Sequence, residues 1–274
     1  MDRYAVIGNP VEHSLSPMIH GLFAAQTGSA LTYEKLPSPV DEFVNTVHRF
    51  FAEGGCGLNV TVPFKAQAAA WVSELSSDAR AAGVVNTIAP KSGGFMGFNT
   101  DGTGLVHDLA VNLGVDLAGV RLLLLGAGGA ARGIVRPLLG QGLAHITVAN
   151  RGEARARELV TELQPEFDEV EIVARSLSQV AGRFDVVINA TSAGLSGTGE
   201  IIDAAIVRGA FCYDLVYGAQ GSTPFCSWAL SAGADTATDG LGMLVEQAAE
   251  AFQIWRGIRP QTPPVLAQMR EAQS

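Results

Sequence analysis

The chain has 274 residues, 47% of them hydrophobic and 16% charged, with 32 glycines. This length suits two modest domains better than one core, and the apolar content excludes an intrinsically disordered chain. The formal net charge of −9 argues against nucleic acid and anionic membranes as partners, because an acidic surface repels both. Few charges and many small apolar residues predict an α/β protein with strands covered on both faces.

The cysteines and the apolar runs indicate the compartment. Cys56, Cys212 and Cys226 are an odd number without a Cys-x-x-Cys pair, which favours reduced thiols over disulfides or metal ligands. The first residues lead into a strand-like run at 4–8 instead of a basic and then apolar stretch, so we expect no signal peptide. The strongest apolar stretch, residues 120–125, contains Arg121 and is too short to span a bilayer. We therefore expect a cytoplasmic protein.

The first hundred residues alternate between strand-like and helix-like patterns. Ser16 and Pro17 predict the start of a helix, with serine as its N-cap and proline at the first helical position. Apolar spacing predicts further helices over residues 40–52 and 64–72. Strands are predicted over residues 4–8, 31–36, 57–60, 84–89 and 94–98, the last two joined by a turn at 90–93.

The pattern changes after a helix predicted from about residue 100 to 113 and a polar connection at 114–119. From there strands and helices alternate, which predicts a parallel sheet with right-handed crossovers. Strands are predicted over residues 120–125, 145–149, 169–174, 184–189, 211–214 and 235–237. Helices are predicted after the loop at 126–131, over 153–163 and 240–255, and from about residue 264.

A glycine-rich loop follows the apolar strand at 120–125 and precedes a helix, which is the context of a dinucleotide-binding loop. Gly126 would allow the tight turn, and Gly128 would let the backbone approach a pyrophosphate. The helix N-terminus would add N–H donors and the positive end of its dipole. Ala131 stands where a third glycine is common and is small enough for close helix–strand packing. The alternative is that these glycines only form a turn between strand and helix and bind no ligand. This alternative explains the surrounding strand–loop–helix–strand order less well.

The residues after the next strand favour NADP over NAD. An NAD site usually has an acidic residue about 20 residues beyond the glycine loop, but this strand ends in Asn150 and Arg151, with Arg155 one turn later. Two guanidinium groups can hold a 2′-phosphate. The alternative, arginines that are simply solvated on a helix face, fits Arg157 better than Arg151.

Four polar stretches follow or interrupt strands of the first domain. In open α/β sheets ligands bind beyond the carboxyl ends of strands, and these hydroxyls, amides, one lysine and one carboxylate suit a small polyhydroxy acid. Singly, each has an ordinary explanation as a helix cap, a loop hydrogen bond or a solvated charge; together they favour a site. The stretches are Ser14-Leu-Ser16-Pro17, Asn59-Val-Thr61-Val-Pro63-Phe-Lys65, Asn86-Thr87 and Asn99-Thr100-Asp101-Gly102.

In this order, the stretches resemble the successive motifs of the shikimate dehydrogenase family. The match extends from about residue 4 to 256. It continues through Gly126-Ala-Gly-Gly-Ala-Ala131-Arg, Asn189-Ala-Thr-Ser-Ala-Gly194, Asp214-Leu-Val-Tyr217-Gly and Asp239-Gly-Leu-Gly-Met-Leu-Val-Glu-Gln247-Ala.

The resemblance implies two α/β domains. Residues 1–101 with 241–274 would form the substrate-binding and catalytic domain, to which the C-terminal helices return. Residues 102–240 would form a doubly wound, Rossmann-type NADP-binding domain. The implied activity is reversible NADPH-dependent reduction of 3-dehydroshikimate to shikimate, a step of the shikimate pathway towards chorismate and the aromatic amino acids.

The resemblance also implies roles for individual residues. Lys65 would be the general acid/base, paired with Asp101, and Ser14 and Ser16 would bind the substrate carboxylate. The other implied substrate-binding residues are Asn59, Thr61, Asn86, Asp101 and Gln247, with Tyr217 nearby. The implied NADP-binding residues are Gly126, Ala127, Gly128, Gly129, Ala130, Ala131, Asn150, Arg151, Arg155, Thr191, Leu215 and Gly240. No metal is implied.

The chain differs from the family pattern at one cofactor position, and three alternative functions remain open. Gly152 stands where the family commonly has threonine, so one hydroxyl contact to the 2′-phosphate would be missing. A quinate/shikimate dehydrogenase would prefer NAD and a carboxylate after the second strand. A non-catalytic shikimate-binding regulator should have lost Lys65 or Asp101. Another two-domain NADP enzyme, similar to methylenetetrahydrofolate dehydrogenase, would not explain the serine pair. We expect a monomer or a homodimer.

Overall fold

The computed structural model describes residues 1–191, 199–218 and 222–273. The chain divides into two compact units, each considered separately below. The first comprises Met1–Leu105 and Leu244–Met269, and the second comprises Val106–Met243 and the chain from Arg270 onwards. Within the described residues, no helix combines the length and apolar character needed to cross a membrane.

The first unit is built on a mixed sheet. In the described chain its strand order is β2-β1-β3-β5-β6-β4. The strands are β1 (Asp2–Gly8), β2 (Leu31–Pro37), β3 (Gly55–Val60), β4 (Glu74–Leu75), β5 (Thr87–Lys91) and β6 (Gly94–Phe98). Strand β1 is parallel to β2 and β3, whereas β5 is antiparallel to both β3 and β6. The end of β3, the start of β5 and the end of β6 therefore meet at one edge, which is where the polar stretches lie.

Helices cover both faces of this sheet, as its alternating side chains require. Leu58 and Val60 of β3 pack on one face in a cluster with Phe43 and Phe64. On the other face the Trp255 indole donates a hydrogen bond of 3.0 Å to the carbonyl of Ile88. The helices are α1 (Ser16–Thr27), α2 (Phe43–Ala52), α3 (Lys65–Trp71), α4 (Ser77–Ala82), α5 (Asp101–His107), α10 (Leu241–Arg256) and α11 (Thr262–Glu271).

The second unit has a parallel sheet, with strand order β12-β11-β10-β7-β8-β9 in the described chain. Its strands are β7 (Arg121–Leu125), β8 (His145–Asn150), β9 (Glu171–Ser176), β10 (Val186–Asn189), β11 (Phe211–Asp214) and β12 (Thr236–Thr238), and its helices include α6 (Gly129–Leu139), α7 (Glu153–Leu163), α8 (Ala204–Val207) and α9 (Pro224–Ser231). The chain order reverses between β7 and β10, which is the switch point of a doubly wound nucleotide-binding sheet. The predicted α/β class and parallel sheet are confirmed.

The centre of this sheet is buried on both faces, as the apolar run at 120–125 predicted. Residues Leu122 to Leu125 of β7 are fully buried. Leu123 and Leu125 share one cluster with Val187, Cys212 and Phe225. The end of β7, from which the glycine loop starts, is therefore anchored in the buried core of the second unit.

The structure corrects two local predictions. Helix α1 begins at Ser16 with Leu15 at its N-cap, so Ser16 is not the cap; the Ser16 N–H donates to Ser14 Oγ instead, at 3.3 Å. The strand predicted over residues 84–89 begins only at Thr87. Strand β4 and helix α4, which the sequence did not indicate, precede it. The Val85 N–H bonds to the Lys65 carbonyl at 2.9 Å, so residues 84–86 connect α4 to the sheet.

Candidate active site

Lys65 and Asp101 form an ion pair in the first unit. Lys65 is the first residue of α3 and Asp101 the first of α5, so each helix start projects one charged group. The Nζ–Oδ2 distance is 2.5 Å, and the side chains are 18% and 7% exposed. The Asp101 N–H is held by Asn99 Oδ1 at 3.0 Å. The predicted catalytic pair is thus close together, and its carboxylate is almost entirely buried.

Asn86 fixes the other oxygen of that carboxylate. Its Nδ2 donates to Asp101 Oδ1 at 2.8 Å and to Thr100 Oγ1 at 2.9 Å. Its Oδ1 accepts the Thr100 N–H at 2.9 Å and the Thr87 hydroxyl at 3.0 Å. Both oxygens of Asp101 therefore have donors, one from Lys65 and one from Asn86, and the carboxylate cannot rotate without losing one of them.

Gln247 lies at the same cluster. Its Oε1 is 3.4 Å from Asn86 Nδ2 and 3.5 Å from Thr100 Oγ1, while its Nε2 donates to the Leu244 carbonyl at 2.8 Å. Gly104 permits this approach, because a Cβ at that position would lie 2.7 Å from the Gln247 backbone nitrogen. The long contacts to Oε1 leave Gln247 able to accept a stronger hydrogen bond from a ligand.

Asn59 is tied to protein groups. Its Nδ2 donates to Thr87 Oγ1 at 2.9 Å and to the Asn86 carbonyl at 3.2 Å. Its Oδ1 accepts the Tyr33 hydroxyl at 2.7 Å. This pattern makes Asn59 a support for Asn86 as well as a candidate for substrate binding. Tyr33 was not singled out from the sequence, where a tyrosine in a strand gives no distinctive signal.

The remaining predicted substrate-binding residues of this unit lie in two loops. The Ser14 hydroxyl donates to Ser16 Oγ at 3.2 Å just before and at the start of α1. Thr61 follows β3, and its N–H bonds to the Ile7 carbonyl at 2.9 Å. Gly8 makes room for it, since a Cβ there would lie 2.5 Å from Thr61 Cγ2. Tyr217 belongs to the second unit, where it is half-buried after β11.

The glycine loop of the second unit has the geometry expected of a pyrophosphate site. Gly126 has a φ of +111°, and its N–H bonds to the Ala149 carbonyl at 2.7 Å. Gly128 is the N-cap of α6, and a Cβ there would meet no atom within 4 Å. Ala131 is fully buried. The loop thus offers an open backbone surface at a helix N-terminus, where an anion is favoured, and these residues fit a dinucleotide.

The residues after β8 are polar and exposed. Asn150 Nδ2 donates to the Gly152 carbonyl at 2.9 Å, and Arg157 pairs with Glu153 at 2.7 Å. Within residues 1–191, 199–218 and 222–273, Arg151 and Arg155 form no ion pair. The alternative of a solvated helix-face charge thus describes Arg157, whereas the guanidinium groups of Arg151 and Arg155 remain available for a phosphate.

Three further predicted cofactor residues follow strands of the second unit. The Thr191 hydroxyl donates to Asn189 Oδ1 at 2.7 Å. Gly240 packs against Leu215, whose carbonyl oxygen would lie 2.4 Å from a Cβ at position 240. A larger residue at 240 would displace Leu215. Residues Ser192 to Gly194 of the family motif lie outside the described residues.

Asp214, at the end of β11, is a buried carboxylate whose sequence position indicated only that it belongs to a family motif. It accepts hydrogen bonds from Asn189 Nδ2 at 3.0 Å, the Val216 N–H at 3.2 Å and the Thr223 hydroxyl at 2.6 Å. Burial raises the pKa of Asp214 to about 6, although these three donors oppose the rise. The group ties β10, β11 and α9 together.

Comparisons with known proteins identify the family. Residues 6–88 match the shikimate dehydrogenase substrate binding domain, 108–204 the shikimate / quinate 5-dehydrogenase model, and 240–270 the shikimate 5′-dehydrogenase C-terminal domain. The shikimate dehydrogenase (NADP(+)) of Alkalilimnicola ehrlichii is 52% identical over 98% of both chains. That of Hahella chejuensis is 52% identical over 99% of both.

A solved structure agrees. Shikimate 5-dehydrogenase of Thermus thermophilus, crystallised with NADP(H) and shikimate, superposes with a TM-score of 0.85 at 31% identity and covers 100% of both chains. The resemblance inferred from the ordered motifs is thereby confirmed. The chain belongs to the shikimate dehydrogenase family.

Proposed function

We propose that this chain catalyses the reversible NADP-dependent interconversion of 3-dehydroshikimate and shikimate, a step of the shikimate pathway. The observation that carries the proposal is the Lys65–Asp101 ion pair, held in a buried polar cluster with Asn86. The two curated relatives bear the name shikimate dehydrogenase (NADP(+)), and the Thermus thermophilus structure contains NADP(H) and shikimate. A non-catalytic regulator would have no need of such a pair.

When bound, NADPH supplies the hydride that reduces the ketone. The Lys65 ammonium donates a proton to the ketone oxygen as negative charge develops on it, and stabilises that charge beforehand. Asp101 keeps the ammonium directed through the 2.5 Å contact. In the oxidation direction, the Lys65 amine accepts the proton of the substrate hydroxyl.

The substrate is held by polar groups that match a polyhydroxy acid. Ser14 and Ser16 bind the carboxylate, and the ring hydroxyls contact Asn59, Thr61, Asn86, Asp101 and Gln247, with Tyr217 nearby. The weakly engaged Gln247 Oε1 and the half-buried Thr61 support this assignment. Burial of Asn86 and Asp101 strengthens their hydrogen bonds to a substrate because little water competes there.

The cofactor is held by the glycine loop and by the residues after β8. The backbone from Gly126 to Ala131, at the start of α6, receives the pyrophosphate. Asn150, Arg151 and Arg155 receive the adenosine 2′-phosphate, and Thr191, Leu215 and Gly240 contact the cofactor. Glu153, the one carboxylate near a position where NAD enzymes have an acidic residue, is occupied by Arg157, which supports NADP over NAD.

The domain boundaries that accompany this function are residues 1–101 with 241–274 for substrate binding and catalysis, and 102–240 for NADP.

We assign the protein to the cytoplasm as a monomer or a homodimer. Burial raises the pKa of the Cys212 thiol to about 12 and that of Cys226 to about 11. Both groups therefore remain protonated thiols at neutral pH.

A direct test is a spectrophotometric assay of NADPH and NADH formation that crosses shikimate or quinate with NADP or NAD. We expect rapid oxidation of shikimate with NADP and slow reaction in the other three combinations. Comparable rates with quinate and NAD would assign the chain to the broader quinate/shikimate group, and would contradict the role of Arg151 and Arg155. No turnover with either acid would refute the proposal.

A further inference from the structure

Tyr33 lies at one end of a directional series of hydrogen bonds that reaches the catalytic pair. Its hydroxyl donates to Asn59 Oδ1 at 2.7 Å. Since that oxygen is the only acceptor of the Asn59 side chain, the amide nitrogen is left to donate to Thr87 Oγ1 at 2.9 Å. The phenol and the Asn86 carbonyl, which accepts from Asn59 Nδ2 at 3.2 Å, together fix which way the Asn59 amide faces.

The series continues in the same direction. The Thr87 hydroxyl donates to Asn86 Oδ1 at 3.0 Å, and Asn86 Nδ2 donates to Asp101 Oδ1 at 2.8 Å. Lys65 holds the other carboxylate oxygen. Asn59, Thr87, Asn86 and Asp101 are all buried, so a donor lost at one position is not readily replaced by water.

The ring of Tyr33 is also held in place. The imidazole of His20 stacks on it with a centroid distance of 4.2 Å and an interplanar angle of 7°. His20 contacts Phe252 and Trp255 of α10 in turn. Burial lowers the pKa of His20 to about 3, so the stack presents a neutral ring to the phenol. Strand β2, which carries Tyr33, is at the edge of the sheet, but the ring itself is half-buried against His20.

We propose that Tyr33 is a positioning residue for the Lys65–Asp101 pair, acting through Asn59, Thr87 and Asn86. The inference rests on the proposed function for its kinetic consequence, whereas the hydrogen-bonded series itself does not. Tyr33 need not touch the substrate in this role. Its loss should lower turnover more than cofactor affinity, because the group that becomes misplaced is the proton donor and not a cofactor contact.

The test is a double-mutant cycle with Tyr33→Phe and Thr87→Val, each of which removes one hydroxyl from the series with little change in shape. We expect each single variant to lower kcat by about 3- to 10-fold, as for the loss of one buried hydrogen bond, with an unchanged KM for NADP. The double variant should be no slower than the slower single variant. Losses that multiply in the double variant, or a normal kcat for Tyr33→Phe, would overturn the proposal.

Tyr4→Phe is the matched control. Tyr4 is the register partner of Tyr33 in β1, but its hydroxyl lies 3.4 Å from Arg256 and not in the series. We expect a wild-type kcat for this variant. A loss of kcat equal to that of Tyr33→Phe would mean that removing a tyrosine hydroxyl from either β1 or β2 lowers turnover, and would contradict a specific role for Tyr33.

Urea unfolding of the same variants separates this inference from the proposed function. If Tyr33 and Thr87 are connected through Asn59, their effects on the free energy of unfolding are non-additive, whether or not the protein oxidises shikimate. Additive effects would overturn the connection. A wild-type protein inert towards shikimate would refute the proposed function alone.

Discussion

The cluster around Lys65 and the arginines after β8 show opposite ways of arranging charged groups. In the cluster, Asp101 is 7% exposed and both of its oxygens are bound by other side chains. Arg151 and Arg155 are exposed, and neither forms an ion pair among the residues that the structure describes. The cluster around Lys65 therefore holds its charged groups in fixed positions before a ligand binds. The side chains of Arg151 and Arg155, in contrast, can take up their positions when a ligand binds.

This difference follows from the chemistry that each region is proposed to perform. Proton transfer requires the donor at a defined position, and groups fixed by protein hydrogen bonds need no rearrangement when charge develops. A phosphate carries several equivalent oxygens, so exposed guanidinium groups can bind it from more than one conformation. The comparison predicts that substitutions in the cluster affect mainly turnover, whereas those after β8 affect mainly cofactor affinity.

The largest expected effect is that of Lys65→Ala. Removing the proton donor should lower kcat by about 10²- to 10⁴-fold while the KM for shikimate changes little, because the substrate's other contacts remain. Steady-state kinetics with shikimate and NADP measure both constants. Lys91→Ala is the control, since Lys91 pairs with Glu74 at the surface of the same unit. A near-normal rate for Lys65→Ala would remove Lys65 from the mechanism and break the comparison.

The second effect concerns the arginines. Replacing both Arg151 and Arg155 with alanine should raise the KM for NADP by roughly 10²-fold, as expected for the loss of charge-assisted hydrogen bonds. The KM for NAD should change much less, and kcat should stay within a small factor. Arg157→Ala provides the control, because that side chain is engaged with Glu153. Equal changes for the two cofactors would argue against a phosphate site.

A third prediction extends the comparison to the interior of the second unit. The pKa of Asp214 is raised to about 6 in the folded protein from 3.8, so between about pH 4 and 6 the folded state binds more protons than the unfolded state. Stability contributed by this group therefore falls as pH rises through that window, by about 3 kcal/mol. Asp214→Asn should flatten this slope, measured by urea unfolding at several pH values. The exposed Asp168→Asn should leave the slope unchanged, and an unchanged slope in both variants would contradict the prediction.

The smallest expected effect is that of Gly152→Thr. Position 152 is the N-cap of α7 with a φ of −97°, and a Cβ there would meet no atom within 4 Å. Threonine therefore fits at this position. It should stabilise the fold by about 0.5 kcal/mol, because its hydroxyl can cap the helix and because it restricts the unfolded chain more than glycine does. Its hydroxyl should also lower the KM for NADP by about 2- to 3-fold. Gly152→Ala separates the two contributions, since it adds no hydroxyl; equal KM values for the two variants would exclude a hydroxyl contact.

Features governed by local sequence were predicted well. Helix α7 spans Glu153–Leu163 as predicted, and the apolar run before Gly126 forms the buried centre of the sheet. The glycine loop was recognisable because a strand, a turn of positive φ and a helix start each leave a signal in neighbouring residues. The ordered motifs added the family and its activity.

The tertiary structure alone decided how distant polar residues combine. Asn59 reaches Asn86 and Thr87 because β5 runs antiparallel to β3, and strand direction is set by pairing between segments, not by the residues within one. The same holds for Tyr33, which reaches Asn59 across β1. The sequence determined which chemical groups are present and which segments carry them. Long-range strand pairing decided which of those groups share a hydrogen bond, because such contacts join residues that carry no local record of each other.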